Sequence, residues 1–233
     1  MVLEGRGRFF KSCAGCNKAF PQYRCTDCIH GPLWCKECII QRHDQSPLHR
    51  IEVSNTILCL DYDVIDFSGG QMWNSFFFQK TSLHDLGLRV QLGHAVGRRC
   101  PTAEKGHVDF TVIDLNGIHH VNVDFCRCHG ILHRRQLLRI GWWPATPLQP
   151  QTCATMAVLK HFHLLNLQGK VPGYSFFRAL EFQTDNTGLS VPVGSSIRFF
   201  LFCSNRCVYS EQQGRSHKHP SKFYYSLSKH FAR

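Results

Sequence analysis

The sequence predicts an α+β protein: an N-terminal zinc cross-brace of the B-box or RING-like kind, then a small, mostly antiparallel β domain closing in two helices. Three observations point there. Cys and His residues crowd into C-x2-C pairs between Cys13 and His49. From residue 72 to 128 apolar and polar residues alternate in short runs, the period of half-buried strands. From about residue 152 the apolar spacing becomes helical.

The ladder reads Cys13-x2-Cys16, Cys25-x2-Cys28, Cys35-x2-Cys38, His43, His49. A tetrahedral zinc takes four Cys or His ligands, and a C-x2-C turn offers two thiolates to one ion. The ladder therefore implies two ions. The short gap from Cys28 to Cys35 favours interleaving, with Cys13, Cys16, Cys35 and Cys38 on one ion and Cys25, Cys28, His43 and His49 on the other. A sequential pairing is the alternative arrangement. A disulfide framework would leave the two trailing His without a role, and no apolar run near the N-terminus suits a signal peptide. The module spans 11–52. Its few large apolar residues do not hold such a segment unaided, so metal is expected to supply folding energy.

Composition narrows the partners. The chain has 233 residues and a formal charge of +11, which suits polyanions such as nucleic acid. No apolar run approaches the ~20 residues of a membrane span. The 13 Cys, in zinc-type spacing, suit a reducing nuclear or cytoplasmic compartment, not secretion.

Residues 53–71, with the closing Gly69-Gly70, read as a linker. The second domain spans 72–188. Leu88-Arg-Val-Gln-Leu92 alternates as a strand. Asn116-Gly117 between alternating runs signals a hairpin. Counting outward from that turn pairs Asp114 with His119, and puts Phe110, Val112, Val121, Val123 and Phe125 on one face. Residues 136–143 read as a further strand. Thr152 is placed to cap a helix reaching about Leu167, with a second helix over 174–182. Residues 189–233 form a divergent basic tail whose foldedness the sequence leaves open; its Cys203, Cys207, His217 and His219 lack a recognisable finger spacing.

Residues i and i+2 of a strand share a face, so Cys126 and Cys128 point the same way. With Cys100 and His94 they would close a third zinc site; the alternative is reduced, half-buried thiols. Asp109, Asp114 and Asp124 sit on the hairpin but are divided between its faces, which opposes a two-metal nuclease site. His119 and His120 read as ordinary strand residues. Arg98, Arg99, Arg134, Arg135 and Arg139 suit phosphates, and Trp142 and Trp143 beside them are candidates for base stacking or for the core.

The order of motifs carries a resemblance. A ladder with YRCTDC is followed by CKECIIQRHDQSPLHRIE and SLHDLGLRVQLGH, then NGIHHVNVDFCRC, QLLRIGWWPATPLQPQTCAT and LEFQTDNTG. From about Cys13 to Gly188 this resembles the cysteine-cluster (CxC-type) domain that accompanies KDZ transposases of mushroom-forming fungi. The resemblance implies a non-catalytic, zinc-binding part of a transposase in the nucleus, engaging DNA or other transposase chains on transposon ends. The family's catalytic carboxylates lie in a separate downstream domain. His94, Cys100, Cys126 and Cys128 fall on matching positions. After TDNTG the likeness stops, and a truncated or remnant product of a transposable element is the expectation, a stand-alone accessory protein the alternative. Beside DNA recognition stand two other readings: a B-box-like module that binds host proteins, and a metal-dependent nuclease.

Overall fold

The computed structural model describes residues 12–54 and 78–185, apart from Phe20, Val96 and His129. Within them lie three small sheets and four helices, a mixed α+β architecture. The tail and most of the expected linker fall outside the described residues.

Strands β1 (Tyr23–Cys25), β2 (Ile51–Ser54) and β3 (Phe78–Thr81) form an antiparallel sheet in the order β1-β2-β3. A cross-strand pair fixes it: Arg24 lies opposite Glu52 and binds its carboxylate at 2.6 Å. The same guanidinium sits 3.4 Å above the Phe78 ring, adding a cation–π contact. Helix α1 (Lys36–Arg42) packs Ile39 against Cys25 and Ile51, and Leu83, Leu86 and Leu88 close that core. The sheet therefore runs across the division expected at 53–71. The N-terminal ladder has so little apolar surface of its own that it borrows a wall from residues beyond the linker.

The remaining strands are β4 (Arg89–Gln91), β5 (Ala103–Lys105), β6 (Thr111–Asp114), β7 (Gly117–His120), β8 (Asn122–Cys126), β9 (Trp142–Pro144) and β10 (Thr152–Thr155). They make two sheets, β4-β8-β5 and β7-β6-β10-β9. The expected mostly antiparallel domain is corrected to mixed sheets, because β4 runs parallel to β8 and β10 parallel to β6. Every residue of β10, Thr-Cys-Ala-Thr, is buried, as a central strand covered on both faces requires. The expected cap Thr152 thus belongs to a strand. Thr155 caps α3 (Met156–Gly169) instead, its hydroxyl accepting from the Val158 amide at 3.2 Å. Helix α4 (Gly173–Thr184) follows. Both helices cover Ile113, Ile118 and Ala154 with Val158, Leu159, Phe176, Phe177 and Leu180.

The strand expected over 136–143 is a helix for its first part, α2 (His133–Arg139), which buries Gln136 and Leu137. Gly141, at φ +79, ends it in a conformation that suits glycine and turns the chain into β9. Trp142 is 6% exposed and belongs to the core, not to a stacking surface.

The hairpin turn is shifted by one residue from the expected position, which moves each strand partner by two. Asp114 pairs with Gly117 and Val112 with His119, so the turn residues are Leu115 and Asn116. Tertiary contacts override the local turn preference. A Cβ on Gly117 would lie 2.8 Å from the Thr184 hydroxyl, which accepts from the Ile118 amide at 2.8 Å. Asn116 reaches out to the N-terminal module, donating to the Leu48 carbonyl at 2.8 Å and facing Asp27 at 3.4 Å. Its amide oxygen accepts from His119 Nε2 at 2.7 Å. Beyond His120 the chain changes sheet, so Asp109 and Asp124 do not face each other: Asp124 is tied to Arg89, while Asp109 is exposed. Phe110, Val112, Val121, Val123 and Phe125 nevertheless share one core, with Leu92, Leu137, Trp142 and Cys153.

The junction at Asn116 yields two predictions. Asn116→Ala leaves the His119 N–H and the Leu48 carbonyl without their partner and should cost about 1–3 kcal/mol in chemical unfolding. Burial pushes His119 down to about 4, against the pull of Asp114 and Asp27. The unfolded ring titrates near 6.5, so it binds the extra proton first; the contribution of the neutral ring is complete above ~6.5 and lost as pH falls towards 4. For metal-saturated protein, the stability gap between wild type and His119→Gln should narrow by on the order of 2 kcal/mol from pH 7.5 to 5. Parallel stability curves would refute the assignment.

Candidate metal centres

The first group is Cys13, Cys16, Cys35 and Cys38, whose ligand atoms all lie within 4.8 Å of one another. Cys13 and Cys16 sit on a tight turn in which Asn17 takes a left-handed φ of 58° and the Cys13 amide bonds the Lys18 carbonyl at 2.8 Å. Cys35 caps α1 and Cys38 lies in its first turn. The Cys16 and Cys35 sulfurs are 3.7 Å apart. A Cβ on Gly15 would approach the Cys38 sulfur to 2.9 Å, so the turn needs glycine there. The Cys13 sulfur accepts from the Cys35 amide at 3.2 Å and the Gly15 amide at 3.4 Å.

The second group is Cys25, Cys28, His43 and His49. Cys25 ends β1 and His43 ends α1. His43 Nδ1 donates to the Ile39 carbonyl at 2.8 Å, which turns Nε2 towards the Cys28 sulfur, 3.5 Å away. Such an outer hydrogen bond sets the tautomer of a ligating His. His49 presents Nδ1, 3.4 Å from Cys25 and 3.5 Å from Cys28. An ion pair between Asp27 and Arg50, at 2.6 Å, braces the turn that carries the two Cys. The grouping is interleaved: the first and third C-x2-C pairs converge, and the second meets the two His.

The third group unites His94, Cys100, Cys126 and Cys128. His94 Nε2 lies 3.1 Å from the Cys126 sulfur and 3.7 Å from that of Cys128. Cys100 and Cys128 are 3.3 Å apart. The strand end supplies the two sulfurs, and the loop after β4 brings the other ligands across.

Crowding makes each group electrostatically demanding. Burial works to raise the Cys13 thiol, but hydrogen bonds from the Cys35, Cys16 and Gly15 backbone bring it down to about 6. Its neighbour Cys38 is driven up to about 12, by Cys35 first and burial second. Burial above all holds Cys25 at about 12. In the third group, burial opposes ionisation of Cys100, yet Cys128 and Thr102 lower it to about 5, while Cys126 is raised. In the first and third groups one sulfur ionises at its neighbours' expense, the pattern a central cation relieves. Each group can hold a metal ion. Soft four-ligand sets with separations of 3.1–3.7 Å between ligand atoms are consistent with zinc, since Zn–S bonds of ~2.3 Å in a tetrahedron separate sulfurs by about 3.8 Å.

Among the described residues, Asp109, Asp114 and Asp124 join no group of metal-binding side chains, and neither do His119 and His120. Asp114 instead accepts from the Thr155 hydroxyl at 2.5 Å. Cys203, Cys207, His217 and His219 lie outside the described residues. The arginines divide sharply. Arg24, Arg50, Arg89, Arg127 and Arg178 each bind a carboxylate. Arg98, Arg99, Arg134, Arg135 and Arg139 form no ion pair with the described residues, and all but Arg134 are exposed. Two residues carry weight that spacing did not reveal, Asn116 at the module junction and Gln136 behind Cys126. A single buried amide leaves no periodic signal.

Residues 83–188 match the family described as CxC2 like cysteine cluster associated with KDZ transposases. The match contains the third group and excludes the first two, so the likeness expected back to Cys13 is found only from residue 83. No curated protein and no solved structure matches the chain. No helix of the described residues is long and apolar enough to cross a membrane.

Metal analysis of the full chain, purified with zinc, should give three ions per chain, and Cys100→Ser should lower this to two. Chelation should unfold the N-terminal sheet, because structural zinc contributes on the order of 10 kcal/mol or more in small modules. A folded chain free of metal would refute this reading.

Proposed function

We propose that this chain is a zinc-binding, non-catalytic accessory region of a KDZ-type DNA transposase, acting in the nucleus in DNA recognition or in assembly on transposon ends. The observation that carries the reading is the division of the arginines. Those paired with carboxylates brace sheets, turns and a helix. Of those with no carboxylate partner among the described residues, Arg42 lies on α1 and five flank the third ligand group in sequence: Arg98 and Arg99 immediately precede Cys100, and Arg134, Arg135 and Arg139 lie on α2, the helix that follows Cys128. An exposed guanidinium without a carboxylate is free to fork onto a phosphate. The match to a transposase-associated family supplies the biological setting.

A second reading is a protein-interaction module, favoured by the outer side of α3, where Leu164 and Leu167 are 49% and 59% exposed. Salt separates the two. Contacts to about five phosphates predict a duplex affinity, micromolar or weaker, whose logarithm falls with log salt at a slope near −4 to −5. Arg98→Ala and Arg135→Ala should each reduce that slope by about one and weaken binding alike on all sequences. Plasmid incubated with magnesium or manganese should stay intact. Salt-independent or absent DNA binding would favour the protein partner; nicking abolished by Asp114→Asn would favour a nuclease.

A further inference from the structure

Gln136 is 1% exposed, and its side-chain amide is fully engaged. Its oxygen accepts from the Cys126 amide at 2.9 Å. Its nitrogen donates to the Cys126 carbonyl at 2.8 Å and to the Ile131 carbonyl at 2.8 Å. One side chain thus satisfies both backbone groups of a ligand residue, as a neighbouring strand would, at the point where β8 ends. It also pins the chain that leaves Cys128 for α2. On the other side, Gly93 at φ +80 packs so closely that a Cβ there would lie 2.6 Å from Cys126 Cβ and 3.0 Å from the Gln136 oxygen. Gly93 directly precedes His94. The amide therefore touches or borders both arms of the third group, the strand end with its sulfurs and the loop with its imidazole.

We propose that Gln136 is the positioning residue of the third centre. It holds Cys126 in ligating geometry before metal arrives, and it locks α2, with Arg135 and Arg139, to the loop bearing Arg98 and Arg99. The proposal rests on reading His94, Cys100, Cys126 and Cys128 as a metal centre. Gln136 contacts no ligand atom. Its effect passes through the backbone of Cys126, where loss of an outer-shell partner typically lowers metal affinity 10–100-fold.

The test is a cobalt titration of the full chain, followed through its thiolate charge-transfer and d–d bands. Wild type should take up three equivalents, and an uptake of two would defeat the metal reading itself. Gln136→Leu should bind the third equivalent 10–100-fold more weakly, with the first two unchanged and reporting an intact fold. Unchanged third-site affinity, or equal weakening of all three, overturns the proposal. A second measurement avoids the variant: in the Cys100→Ser chain, which lacks one ligand, the Cys126 amide should remain protected from hydrogen exchange. Fast exchange there would show that metal, not Gln136, orders the strand end, and would equally overturn it.

Discussion

In each of three groups, four Cys or His ligand atoms lie within 4.8 Å of one another, a crowding whose thiolates a cation among them would stabilise. Each joins pieces of chain that hydrophobic burial would hold poorly. The first ties a turn to the start of α1. The second ties the end of β1 to the end of α1 and the approach to β2. The third ties a glycine-flanked loop to a strand end. Cys25 of the second group is itself part of the core formed by Ile39, Ile51 and the three leucines, so ligand group and apolar cluster support the same short strands.

The two halves of the chain are not independent units. Leu83, Leu86 and Leu88, which lie inside the family match, complete the core of the N-terminal module, while Asn116 at a hairpin tip hydrogen-bonds to the Leu48 carbonyl. A zinc module that folds through metal alone would need neither. Here the ligand groups fix local turns, and the leucines and the asparagine fix how those turns sit against the second domain.

The ligand groups were legible because their chemistry is written in spacing. Cys and His are scarce, C-x2-C has one common use, and alternation placed Cys126 and Cys128 on one side of a strand end. The core face from Phe110 to Phe125 was legible for the same reason, through its period of two. What failed depended on distant partners. Asn116-Gly117 carries a strong turn preference, yet Thr184 seats against Gly117 and Leu48 takes the Asn116 side chain, moving the turn by one residue and each strand partner by two. Thr152 looks like a cap, but its segment is drawn between β6 and β9, and the cap passes to Thr155. In α2 the run Gln136-Leu-Leu-Arg alternates poorly and is too short for helical period to declare itself; only Gly141 marked its end.

The insertion of β10 between β6 and β9 has a consequence for the order of events during synthesis. Every residue of the three ligand groups precedes Gly130, and the leucines that wall the first core precede Arg89. The four-stranded sheet, by contrast, needs residues 152–155 before β6 and β9 can be joined. A chain emerging from its N-terminus first presents complete metal-binding sets while its largest sheet still lacks the middle strand. Ions held by these sets would be the earliest long-range fastenings, and the parallel pairing of β10 with β6, slow to find by diffusion alone, would be left to a chain whose first half they had tied down.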